Sequence, residues 1–127
     1  MSRTLFETYG GFASVSKIVS AFYDKVLDSE RLSRFFVKVD MRRLIDHQTK
    51  FIASIMGGPA SFTDDALQRA HAKLGITHDD FAEAVELLIE TLEDFDVADE
   101  DIEHLRQIVM RAEGLIVTRR EPSRATG

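Results

Sequence analysis

Histidine is the residue of this sequence best suited to hold a metal, and four are present: His47, His71, His78 and His104. His71 stands apart because Leu67 and Leu74 fall on the same helical face and would point its imidazole inward. An inward imidazole is either a core histidine bonded to a backbone carbonyl or a ligand, and spacing does not choose between them. His47 lies one turn from both Leu44 and Phe51 and borders a second apolar stripe. His78, beside Asp79 and Asp80, and His104, beside Glu103, read as solvent-facing. Tyr23 and Gln48 interrupt apolar stripes on two separate segments. Buried polar groups require partners, so these two either bond each other or the backbone, or donate to a ligand in a shared cavity. The adjacent Phe35 and Phe36 are either ordinary core or the wall of a flat apolar group.

Other chemistries lack their residues. With no cysteine, disulfides, thiolate metal sites, iron–sulfur clusters and any prosthetic group held through a cysteine sulfur are excluded, so a metal here must use nitrogen, oxygen or methionine sulfur. There is no GxGxxG, GxxxxGK[ST] or HExxH pattern and no glycine-flanked nucleophilic serine. The acidic stretch from Glu93 to Glu103 lacks the glycine and spacing of a calcium loop and reads as a solvated interhelical turn. A net charge of -6 argues against nucleic-acid binding, which relies on excess Lys and Arg. The basic tail residues Arg119, Arg120 and Arg124 are broken up by Glu121 and Pro122 and read as a frayed end. No apolar run is long enough to span a bilayer, and no basic segment followed by an apolar one opens the chain. No membrane association and a cytoplasmic location are therefore expected.

The elements that must position these residues are helical. At 127 residues, 44% of them hydrophobic, the chain has the size and balance of one globular domain. Val15, Ile18, Val19, Phe22, Tyr23, Val26 and Leu27 trace one helical face, with Ser14 as the candidate N-cap. Gly10 and Gly11 mark a sharp corner after a short amino-terminal helix. Met41, Leu44, Ile45, Gln48, Ile52 and Ile55 form a second stripe, capped by Asp40 and ended by Gly57, Gly58 and Pro59. Leu67, Ala70, His71 and Leu74 suggest a shorter helix that stops at Gly75. Thr77 and Asp80 read as a capping box for a helix through Phe81, Val85, Leu88 and Leu92, ending near Phe95. A last helix is expected through Ile102, Leu105, Ile108, Val109, Ala112 and Leu115. No segment alternates as a strand does, so the expected class is all-α.

Several strings, in order and with matching spacing, resemble the group I truncated haemoglobins. They are Leu5 to Gly11, Phe22 to Leu27, Phe35-Phe36, His47-Gln48, Gly57-Gly58-Pro59 and Ala70 to Thr77, and the likeness runs from about Thr4 to Val117. The resemblance implies a globin of two helices over two enclosing one haem b, with residues 1–118 as the domain and 119–127 as a flexible tail. It implies His71 as the proximal iron ligand, and Tyr23 and Gln48 as the distal hydrogen-bonding pair for oxygen, nitric oxide or carbon monoxide. By the same likeness Phe36, with Phe35, packs on the haem. Leu44 stands where larger globins carry a distal histidine. Arg43 and Lys73 are the propionate candidates, and Phe51 and Ile52 line either a gas route or plain core.

Two positions depart from the common pattern. His47 occupies a site where some members carry lysine and others a histidine that closes on the iron as a sixth ligand. It reaches the iron, a propionate or solvent. Phe62-Thr63-Asp64 replaces the usual tyrosine, threonine and glycine before His71. The implied activity is reversible gas binding, with nitric oxide dioxygenation as turnover chemistry, a peroxidase-like side activity, and an unidentified reductase as partner. A bis-histidyl protein for electron transfer or redox and gas sensing is the alternative, and a scaffold without haem is a third reading. A monomer or weak dimer is expected.

Overall fold

Thr4 caps α1 (Leu5–Thr8). Its hydroxyl accepts from the Glu7 amide at 3.1 Å, and the Glu7 carboxylate accepts from the Thr4 amide at 3.2 Å. The computed structural model describes residues 4–58 and 75–117. The stretch containing Leu67, Ala70, His71, Lys73 and Leu74, with Pro59 and Phe62 to Asp64, lies outside these, as does the tail beyond Val117.

At the expected corner Gly10 adopts φ +101, and a Cβ there would overlap the Ser14 hydroxyl. The next helix, α2 (Gly11–Asp28), therefore starts directly at the corner. Ser14 is not its cap. The left-handed Gly10 occupies the N-cap position without a side-chain hydrogen bond, and Ser14 sits inside the helix. Val15, Ile18, Val19, Tyr23 and Val26 form the buried stripe of α2, whereas Leu27, at the end of the expected stripe, is exposed.

Ser29 caps the single turn α3 (Glu30–Ser33), its hydroxyl accepting from the Leu32 amide, and a 3-10 turn (Arg34–Phe36) follows. Asp40 caps α4 (Met41–Ile55) as expected, accepting from the Arg42 and Arg43 amides at 3.1 and 3.3 Å. The expected stripe of α4 is half-buried, and full burial falls on Thr49, Ala53 and, just past the helix, Met56. The glycines after α4 also seat the amino-terminal helix. The Gly58 amide donates to the Ala53 carbonyl at 2.7 Å, the Phe6 amide donates to Met56, and a Cβ on Gly58 would lie 2.8 Å from the Phe6 ring.

Thr77 and Asp80 form the expected capping box of α5 (His78–Asp94), in which Phe81, Val85 and Leu92 are buried. The acidic run beyond it is only partly a turn. Asp99, Glu100 and Asp101 occupy the first turn of α6 (Asp99–Arg111), where carboxylates offset the exposed amides and the helix dipole. The expected last helix breaks at Ala112, whose amide bonds back to Val109, and resumes as α7 (Glu113–Ile116). Gly114, just beyond the break, disfavours a continuous helix.

The core joins the α2 stripe to Ala53 and Met56 from the α4 end, Leu32, Leu92, Val97, Ile102 and Leu105. Helix α2 packs most extensively on α4 and next on α5, and α5 packs on α6. This arrangement is all-helical, with no strand among the described residues. No described helix is long and apolar enough to cross a membrane.

Candidate functional site

Tyr23 is where the buried stripe of α2 turns polar. It is 8% exposed, and its ring meets Phe22 and Phe36 edge to face, with centroids 4.9 and 5.7 Å away. Burial pushes its phenol well above the usual tyrosine range, so the hydroxyl stays protonated and available as a donor. Among the described residues none hydrogen-bonds it, and Gln48 is no exception. Gln48 is half-buried on α4, the helix packed against α2.

The apolar residues expected around this donor are brought to the same core. Phe35, Phe36, Leu44 and Ile52 are half-buried and pack against the buried cluster that includes Tyr23. Phe51 is half-buried as well. His47 and Arg43 are exposed on the outer flank of α4. His71 and Lys73 lie outside the described residues. His78 and His104 are exposed as expected, and His78 Nδ1 lies 2.9 Å from the Glu113 carboxylate. Among the described residues no group of three or more histidine or carboxylate side chains converges as a metal site.

A charged cluster beside the Phe35-Phe36 turn was not foreseen from the sequence. The Asp80 side chain is fully buried, and its carboxylate accepts from Arg31 at 3.3 Å, from Arg34 at 3.1 Å and from the Thr77 amide at 3.1 Å. Burial alone would raise its pKa. The Thr77 amide and hydroxyl and the two guanidinium groups outweigh that and hold it below the ordinary carboxylate range. Arg34 also donates from Nε to the Arg31 carbonyl, and its guanidinium lies 4.7 Å from the centre of the Phe35 ring. Arg31 lies 3.7 Å from Glu83, which also takes a hydrogen bond from the Ser29 hydroxyl. The sequence signal was faint, since Asp80 was already accounted for as a capping residue. Arg31 and Arg34, one turn apart, were the only hint of a buried anion.

An apolar wall around a donor that no other described residue engages fits a flat apolar prosthetic group carrying a small polar ligand. Comparison with known proteins agrees. The bacterial-like globin family matches residues 4–117. A group 1 truncated hemoglobin of Tetrahymena pyriformis is 30% identical over 107 residues, covering 84% of this chain and 88% of that protein. One from Synechocystis is 32% identical over 101 residues, covering 76% and 82%. The structure of the 2/2 hemoglobin from Synechococcus superposes with a TM-score of 0.84 at 32% identity, covering 92% of this chain and all of that one. The likeness thus holds in sequence and in fold over nearly the full described length, and the chain belongs to the bacterial-like globins, within the group 1 truncated haemoglobins.

Proposed function

We propose that this chain holds haem b through His71 and binds diatomic gases on the side of the haem facing Tyr23 and Gln48. The observation that carries this reading is Tyr23, a buried side chain whose protonated phenol sits among Phe22 and Phe36 and is hydrogen-bonded by no other described residue. The Synechococcus relative, which carries covalently attached heme in the cyanomet state, supports haem as the group held.

When bound, haem supplies an iron able to take up oxygen, nitric oxide or carbon monoxide. The chain provides the surroundings. Tyr23 donates from its phenol to the gas ligand, and the Gln48 amide is the second donor. Phe35, Phe36 and Leu44 keep water away from the pocket, which strengthens each of those hydrogen bonds. Phe51 and Ile52 border the approach to it, and Arg43 and Lys73 are the cations for the propionates. Nitric oxide dioxygenation is the turnover chemistry this arrangement serves. One nitric oxide and one dioxygen give nitrate, and the electron lost in each turnover is returned by a separate reductase.

The exposure of His47 supports a gas-binding protein with an open sixth position over the bis-histidyl alternative. The test is the absorption spectrum of the purified ferrous protein with and without carbon monoxide, followed by mixing its oxygenated form with nitric oxide. A carbon monoxide shift of the Soret band and rapid oxidation to the ferric form are expected. No Soret band after reconstitution with haemin would overturn haem binding, and no oxidation would overturn the dioxygenation.

A further inference from the structure

The Asp80 carboxylate touches two segments that meet beside the pocket. From one side it takes the amide of Thr77, the cap of α5. From the other it takes Arg31 and Arg34, which flank and begin the 3-10 turn carrying Phe35 and Phe36. Arg34 covers the Phe35 ring at 4.7 Å, and the next residue, Phe36, bears edge-on on Tyr23 at 5.7 Å. The contacts therefore run without a break from a fully buried anion through Arg34 and the 3-10 turn to the one buried donor of the proposed ligand pocket.

We infer that Asp80 is a positioning residue for Tyr23. By fixing Arg34 and with it the Phe35-Phe36 turn, it holds Phe36 against the phenol and so sets the direction in which the hydroxyl donates. An acidic side chain is needed there because only an anion draws two guanidinium groups and a backbone amide to one point. The inference rests on the gas-binding reading for its consequence, though not for its geometry.

The test uses the full chain and separates the two. Asp80→Asn keeps a capping acceptor and removes the charge that binds Arg31 and Arg34. In the haem-loaded protein it should speed gas release several-fold. That effect should be absent when the same change is made in a Tyr23→Phe background, and Asp80→Glu should recover much of the original rate. Independently of any gas, NMR cross-peaks between the Tyr23 and Phe36 rings should weaken in Asp80→Asn. If Asp80→Asn does not fold, Arg34→Met takes its place, keeping the stem over Phe35 and losing the ion pair. Unchanged ring cross-peaks, or an equal effect on release with and without the Tyr23 hydroxyl, would overturn the inference. Should the parent protein take up no haem, the functional reading fails while the cross-peaks still decide the positioning.

Discussion

Phe36 stands edge-on to Tyr23, with centroids 5.7 Å apart and the ring planes at 73°. The contact leaves the phenol packed on its flank while its hydroxyl finds no hydrogen-bond partner among the described residues. Tyr23→Phe therefore removes a group that no other described residue engages. Stability by urea unfolding should change by no more than about 0.5 kcal/mol. Gas release, followed by stopped-flow displacement, should accelerate about tenfold, the equivalent of about 1.4 kcal/mol for one lost hydrogen bond. A large loss of stability with unchanged release would place the hydroxyl in the core and not at the ligand.

The Tyr9 hydroxyl has the opposite character. It donates to Asp101 at 2.6 Å and accepts from the Ala98 amide at 3.0 Å, tying the amino-terminal corner to the start of α6. Tyr9→Phe should lower stability by about 1–2 kcal/mol, seen as a lower urea midpoint at constant slope, and leave gas release unaltered. Burial and the Asp101 hydrogen bond raise the Tyr9 pKa. Its contribution is thus complete below the unfolded value near 10 and is lost as pH rises through the higher folded one. The gap between parent and variant should close in that alkaline window.

Asp80 behaves in the acid direction. Its folded pKa is depressed below the unfolded value of 3.8, so its stabilisation is complete above that value and disappears as pH falls through the folded one. Near neutral pH, Asp80→Asn should cost about 3 kcal/mol, the low end for breaking a buried pair, because Arg31 and Arg34 are half exposed and can turn to water. Urea midpoints across an acid series should converge for parent and variant below 3.8. A constant gap would mean that the charge is not what matters.

His47 lies exposed on α4, next to the half-buried Gln48. The ferrous protein without added ligand should then give a five-coordinate spectrum, and His47→Leu should retain it. A six-coordinate low-spin spectrum that His47→Leu converts to five-coordinate would establish the bis-histidyl alternative.

Local signals carried most of the helices. Asp40 and the Thr77–Asp80 pair announced their helix starts because capping is a matter of neighbouring residues. Ser14 misled because the same logic overlooked that a left-handed Gly10 lets a helix begin without a side-chain cap. The break at Ala112 was hidden because the apolar period runs on through it. Tyr23 was visible as a polar residue on an apolar stripe, whereas Arg34, which binds Asp80, and Asp101, which binds Tyr9, lie 46 and 92 residues from them, which periodicity cannot register. His71 was singled out by its apolar neighbours and by family resemblance, and it lies outside the described residues.

Haemin titration of the parent and of His71→Ala, read by the Soret band of the ferrous carbon monoxide form, tests the central claim most directly. The parent should bind one haemin per chain with a sharp band. His71→Ala should bind far more weakly with an altered spectrum, and His71→Gly should regain the parent spectrum on adding imidazole. Identical affinity and spectrum in parent and His71→Ala would contradict the assignment of the iron to that side chain.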